Sequence, residues 1–252
     1  MQRIESKPTW SHAPGVLDLQ PRQVDLWRIH LDLPIASVKL LESALSADEA
    51  QRAARFHFPA DRQRFIAAHG CLRDILARYL SGTPSQLNFS ANRYGKPALE
   101  EHDLEFNLSH SGDFALIAVA QGLKVGVDVE RIRPDMEFES IASRYFSQGE
   151  FSELMTVQSD QRTVAFFNCW TRKEAYIKAQ GLGLSLPLES FDLSLTPDEP
   201  AILRATRPDP GEAARWTLLS MEVDPGYAAA VAVEGNNPEF RLWDWDTSYA
   251  PN

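Results

Sequence analysis

The sequence predicts an α+β fold built as a pseudo-two-fold pair of similar halves, and three observations predict it. First, strand-like and helix-like segments follow one another without the regular alternation of a doubly wound sheet. Second, Val24-Asp-Leu-Trp-Arg-Ile29 resembles Val127-Asp-Val-Glu-Arg-Ile132, and Arg55-Phe-His-Phe58 resembles Arg144-Tyr-Phe146. Third, a long helical pattern follows each, carrying Cys71-Leu-Arg73 in one case and Cys169-Trp-Thr-Arg172 in the other. Three matches in the same order point to two related halves packed as a pseudo-dimer. The predicted division is residues 1–122 and residues 123–252. The halves are not equivalent, because Trp27 stands where the second has Glu130.

The elements follow from local pattern. Val24 to Leu31 alternates apolar and polar residues and predicts a strand. Ser46-Ala-Asp-Glu49 is a capping box opening a helix through Phe56. A longer helix is predicted over Asp61 to Leu80, with Phe65, Leu72, Ile75, Leu76 and Leu80 on one stripe. Ser81-Gly-Thr-Pro84 stops it. After a loop at Asn92 to Pro97, short strands are predicted at Glu105–Leu108, Phe114–Ala120 and Val125–Glu130. Short helices are predicted at Glu137–Phe146 and Gln148–Met155. A long helix over Gln161 to Ala179 ends at Gly181 and Gly183. The last quarter reads as β: Phe191–Leu195, Trp216–Val223, Tyr227–Val233 and Phe240–Trp245.

Composition narrows the function. Of 252 residues, 25 are Lys or Arg and 35 are Asp or Glu, a net charge of −10. Nucleic acid is an unfavourable partner for such a chain, since its binding is driven by neutralising phosphates with basic side chains. An anionic ligand must be held by a local basic cluster or a metal ion. The first ten residues lack the apolar core of a signal peptide. The longest apolar run, Phe114 to Ala120, is too short to span a bilayer. The expectation is a cytoplasmic, monomeric protein. Cys71 and Cys169 fit neither a disulfide framework nor a four-ligand zinc site and read as buried thiols.

Four segments carry chemistry. In Val125-Gly-Val-Asp128-Val-Glu130, residues two apart on a strand share a face. Asp128 and Glu130 then project together while Val127 and Val129 face the core. Paired carboxylates repel unless a cation sits between them, and a hard divalent ion is the natural occupant. The bland alternative is an exposed edge strand. In Trp170-Thr-Arg-Lys-Glu174-Ala-Tyr-Ile-Lys178, Glu174 and Lys178 share a helix face. They form either a solvated salt bridge or a third acid and a cation at the same site. With no Cys or His cluster nearby, the acids suit magnesium rather than zinc. Phe106-Asn-Leu-Ser109-His110-Ser111-Gly112 lacks a nucleophile elbow and suits anion binding better than Ser-His hydrolysis. In Gly95-Lys96-Pro97 a tight loop displays one lysine, either a solvated turn residue or a phosphate contact.

Together these segments resemble the Sfp-type 4′-phosphopantetheinyl transferases. The resemblance rests on Tyr94-Gly-Lys-Pro-Ala-Leu99, Phe106-Asn-Leu-Ser-His-Ser-Gly112, Val125-Gly-Val-Asp-Val-Glu130 and Trp170-Thr-Arg-Lys-Glu-Ala-Tyr-Ile-Lys178. Gly181-Leu-Gly-Leu-Ser-Leu-Pro187 supplies the glycine-rich follow-on. It covers roughly residues 45 to 195 and is specific as an ordered set. It implies two α+β halves with coenzyme A in the cleft between them, nucleotide contacts from the first half and a magnesium site from the second. Asp128, Glu130 and Glu174 match the metal ligands. Lys96, Ser109 and His110 match positions holding the nucleotide phosphates. Lys178 matches a lysine near the pyrophosphate. Arg52, Arg55 and Arg64 fall in the basic stretch near the 3′-phosphate. Phe65 and His69 depart from the pattern, standing where relatives carry a small hydroxyl residue and arginine.

The implied reaction moves phosphopantetheine from coenzyme A to a serine of an apo acyl or peptidyl carrier protein, with Glu174 as base and Lys178 at the leaving phosphate. Around Arg144 to Met155, Phe146, Phe151 and Leu154 either anchor the carrier or belong to the core. Two other readings stand beside this one: a magnesium-dependent phosphohydrolase acting on coenzyme A, and a non-catalytic coenzyme A-binding protein.

Overall fold

A computed structural model describes residues 9–207 and 209–247. The chain begins with β1 (Ser11–His12), β2 (Gln23–His30), α1 (Ile35–Ser43), α2 (Ala47–Ala54) and α3 (Pro59–Leu80). A hairpin of β3 (Phe89–Ala91) and β4 (Pro97–Leu99) follows, then β5 (Leu104–Ser111), β6 (Phe114–Gln121) and β7 (Val125–Arg131). Next come α4 (Glu139–Tyr145), α5 (Gln148–Thr156) and α6 (Arg162–Gln180). The remaining strands are β8 (Phe191–Leu193), β9 (Leu203–Thr206), β10 (Trp216–Ser220), β11 (Tyr227–Glu234) and β12 (Glu239–Asp244).

The duplication is visible in the strand order. In the first half β2 pairs antiparallel with β6, which pairs with β5. In the second, β7 pairs antiparallel with β11, which pairs with β10. A capped short helix and a long helix separate the first strand from the hairpin each time. Both short helices open with a full capping box, Ser46 with Glu49 and Ser147 with Glu150. Both capping glutamates then reach a buried cation on the long helix, Arg73 at 2.6 Å and Lys173 at 2.8 Å. β12 departs from the symmetry: it leaves the second half and adds parallel to β2, with β1 on its outer edge.

Alternation on the strands sets the layers. Trp27, Ile29, Phe106 and Ile117 face α3, where they meet Cys71 and Ile75. From the opposite faces, Val24, Leu26, Leu116 and Ala118 meet Val125, Val127, Val129 and Val231 of the other sheet. Ala230 and Ala232 then face α6, meeting Ala175 and Ile177. The order is helix, sheet, sheet, helix, with the catalytic candidates where β7 meets both α6 and β5.

Candidate active site

Parity on β7 decides which side chains face the site. Val127 and Val129 enter the core between the sheets, so Asp128 and Glu130 point the other way, toward α6. Gly126 permits the approach: a Cβ there would lie 2.2 Å from the Ala175 carbonyl oxygen and 2.3 Å from the Ala179 nitrogen. The helix therefore rests directly on the strand. Lys178 Nζ reaches Asp128 Oδ1 at 2.6 Å and Ser109 Oγ at 3.0 Å.

The other wall is β5, whose residues Asn107, Ser109 and Ser111 share one face. Across the seam to β7 these side chains take the place of backbone carbonyls. Asn107 Oδ1 accepts from the Val127 N–H (2.8 Å), Ser109 Oγ from Val129 (3.4 Å) and Ser111 Oγ from Arg131 (3.1 Å). The same hydroxyls donate to the acids: Ser109 to Asp128 Oδ1 and Ser111 to Glu130 Oε2, each at 2.8 Å. Buried backbone donors need partners, and this stitch supplies them without closing the two sheets into one.

The acids share a dry, negative surrounding. Burial raises the Asp128 carboxyl, with Lys178 and Ser109 working against it. Burial raises Glu130 too, opposed by the Ser111 hydroxyl and reinforced by the charge on Asp128. Glu174 is pushed up to about 7, by burial first and then by Asp128, with Lys178 opposing and Glu130 adding. Asp128 Oδ2 is buried and has no hydrogen-bond partner among the described residues. An all-oxygen acidic set with one unsatisfied carboxylate oxygen fits a hard divalent cation. Among the described residues, no three His, Cys, Asp or Glu side chains are already drawn together as a ligand cluster. Instead Asp128 is turned onto Lys178 and Glu130 onto Ser111.

A cavity of about 370 Å³ opens in the first half, lined by Arg52, Arg55, Phe56, Phe65, His69 and His110. Arg52 lies over the Phe65 ring, 5.4 Å from its centroid, and the His69 ring lies 4.1 Å from the same ring. His110 keeps an exposed face, yet the crowded part of its ring, then the charges of His69 and Lys178, lower its pKa from the ordinary value. Lys178, bonded to Asp128, also acts on His110, so the basic cavity and the acidic seam adjoin although His110 and Ser109 leave β5 on opposite faces.

Two family models describe the chain: "4′-phosphopantetheinyl transferase, N-terminal" over residues 35–122 and "4′-phosphopantetheinyl transferase superfamily" over residues 124–232. The chain is 42% identical over 241 residues to the 4′-phosphopantetheinyl transferase HetI of Nostoc sp., covering 94% of this chain and 98% of HetI. The chain belongs to the 4′-phosphopantetheinyl transferase superfamily. It is 32% identical over 218 residues to the transferase Sfp of Bacillus subtilis, covering 85% of this chain and 93% of Sfp.

In this phosphopantetheinyl transferase, the residues singled out from sequence fall into three places. Asp128, Glu130, Glu174, Lys178 and Ser109 meet at the seam. Arg52, Arg55 and His110 line the cavity. Arg64 and Lys96 belong to neither list: Arg64 pairs with Asp113, and Lys96 Nζ donates to the Val125 and Ala179 carbonyls. Phe146 and Leu154, considered as carrier anchors, are core residues packed with Phe166, and Phe151 is half-buried against them. Of that group the exposed apolar side chain is Met155.

Asn107 and Ser111 join the site beyond the residues expected from sequence, and alternation within Phe106–Ser111, which puts both on the face of Ser109, is the signal that marks them. The first half shows what the site becomes when one strand acid is paired off and the other replaced. Asp25, at the position matching Asp128, is fully buried and held by Arg241 at 2.6 and 2.8 Å. Trp27 replaces Glu130 and donates its indole N–H to Tyr79 (3.0 Å).

Proposed function

We propose that this enzyme transfers the 4′-phosphopantetheine arm of coenzyme A to a serine hydroxyl of an apo acyl or peptidyl carrier protein, releasing 3′,5′-ADP, with magnesium as its metal. The observation that carries the reading is a crowded set of three carboxylates, Asp128, Glu130 and Glu174, each raised first by burial, beside Lys178 and next to a cavity lined by two arginines and two histidines. Residues 1–122 would supply the nucleotide cavity, and residues 123–252 the acids and the catalytic helix. No helix among the described residues is long and apolar enough to cross a membrane. Because the acids and the cavity belong to one chain, a monomer is the form we assign, and the cytoplasmic placement rests on the sequence expectation alone.

Asp128, Glu130 and Glu174 would hold the magnesium, which when bound supplies a Lewis acid for the pyrophosphate. Arg52, Arg55 and His110 bind and orient the nucleotide phosphates. Ser109 and Ser111 keep the Asp128 and Glu130 carboxylates aimed at the cleft. The carrier serine Oγ attacks the β-phosphorus of coenzyme A as the bridging phosphorus–oxygen bond breaks. Glu174, at the edge of the acidic seam, takes the serine proton. Lys178 donates to the departing phosphate oxygen, offsetting its charge.

Intact-mass spectrometry of apo carrier proteins tests this. Incubation with enzyme, coenzyme A and magnesium should add the mass of one phosphopantetheine, and Glu174→Gln should abolish the addition while coenzyme A still binds. Full transfer by the variant overturns the role of Glu174. Rapid release of phosphopantetheine without any carrier would mark a hydrolase instead.

A further inference from the structure

The first half grips the catalytic helix at a second place, away from the acids. The loop joining β3 to β4 is pre-folded by Asn92. Its side-chain Oδ1 accepts the backbone N–H groups of Tyr94 at 2.9 Å and Lys96 at 3.0 Å. Gly95 takes a left-handed conformation, φ +89°, which allows the tight turn. The other end of the same amide, Nδ2, donates to the carbonyl of Gly181 at 2.8 Å. Gly181 is the residue that ends α6. Lys96 Nζ lies alongside, donating to the Ala179 carbonyl at 3.3 Å and to the Val125 carbonyl at 3.2 Å.

These acceptors have a meaning in helix physics. The last carbonyls of an α-helix have no partner inside the helix, and a cation near them is favoured by the helix dipole. One lysine therefore joins the end of α6 to the start of β7, and one asparagine ties the cap residue to the first half. Gly181 lets the grip close: a Cβ there would lie 3.1 Å from Asn92 Nδ2 and 3.1 Å from Lys96 Cδ. Lys178 sits in that last turn and Glu174 one turn earlier.

We propose that Asn92 and Lys96 are positioning residues: they latch the C-terminal end of α6 to the first half and so hold Lys178 and Glu174 against Asp128. The sequence expectation for Lys96 was a phosphate contact, and the two roles separate in experiment. The kinetic part of the proposal rests on the transferase reading above; the structural part does not.

The test compares wild type with Asn92→Asp, Lys96→Met and Lys96→Arg. Asn92→Asp keeps the acceptor that folds the loop and removes the donor to Gly181. Hydrogen exchange of peptides spanning residues 176–183 should quicken about tenfold in Asn92→Asp and Lys96→Met, the scale of one or two lost hydrogen bonds. Peptides from α3 should not change. In transfer assays both variants should lose about tenfold in kcat, with KM for coenzyme A within about twofold and the preference for coenzyme A over its 3′-dephospho form unaltered. Lys96→Arg should recover most of both losses. Unchanged exchange at residues 176–183 overturns the latch. So does a Lys96→Met variant with raised KM, intact kcat and no remaining 3′-phosphate preference. If the wild-type protein transferred nothing, the proposed reaction would fall, and the exchange data would still decide the latch.

Discussion

Gly126→Ala puts the assembly of the site under direct test. Gly126 lies beneath α6, and its missing side chain is what brings β7 to the helix backbone. An alanine Cβ would stand 2.2 Å from the Ala175 oxygen, 2.3 Å from the Ala179 nitrogen and 2.9 Å from the Ala179 Cα. All three obstacles are backbone, so no rotamer change relieves the clash. Separation to a tolerable contact requires a movement of about 1 Å. Overpacking of this kind costs about 3 kcal/mol, the upper end of the usual range. For a chain of this size that corresponds to a Tm lower by roughly 6 to 12 °C. The displaced helix carries Glu174 and Lys178 away from Asp128, and a 1 Å error in such a constellation costs about a hundredfold in rate. Thermal unfolding measures the first loss, and mass spectrometry of carrier loading at a temperature where the variant is folded measures the second. A variant with unchanged Tm and unchanged rate would show that α6 does not rest on β7 as described.

The remaining predictions concern protons. Burial raises the Glu49 carboxyl, but contacts from His69, the Ser46 N–H and Arg73 prevail and hold it at about 2, so this stabilisation is complete above 4.5 and lost as pH falls through 2. It is on the order of 3 kcal/mol, and Glu49→Gln should remove that part of the acid dependence in denaturant titrations at pH 5 and pH 3. Glu174 has the opposite sign: its folded-state value of about 7 exceeds the ordinary 4.5, so the folded state binds this proton more tightly. Its favourable contribution is full below 4.5 and is lost as pH rises through 7. With metal removed by chelator, wild-type Tm should therefore fall relative to that of Glu174→Gln between pH 5 and pH 8, and parallel profiles would refute the shift.

Regular patterns were legible from residues alone; exceptions to them were not. The capping box at Ser46 marks α2, and Ser81 and Gly181 mark the ends of α3 and α6, both in the left-handed conformation. The helix α1 went unseen because Pro34 precedes it and no side chain caps it, so no start signal exists. A single stripe on α3 understated its burial: residues 65 to 68 and 70 to 77 are all buried, including Arg73 and Asp74. Arg73 is tolerated because it bonds Glu49 and the Pro84 and Leu87 carbonyls, partners set by loop closure rather than by spacing. The loop expected at 92 to 97 is a hairpin turn over residues 92–96 with Pro97 opening β4, and the two strands have three residues each, too short for a periodic signal. At the site, the pairing of Asp128 with Glu130 follows from strand parity. That Ser111 serves Glu130, or that Lys96 serves a helix end, depends on how two sheets meet and has no counterpart in local sequence.

The placement of β12 bears on how the molecule comes into being. β2 lies between β6 and β12, and the buried carboxylate of Asp25 receives its charge partner, Arg241, from β12. A polypeptide cut after residue 122 would leave β2 as a bare margin with an uncompensated anion behind it. β2 thus waits for a strand more than 200 residues later in the chain before its surroundings are complete. Contacts that distant in sequence form slowly. The duplicated architecture therefore does not make two autonomous folding units: the tail fastens them into one, and the first half is finished only when the second has been made.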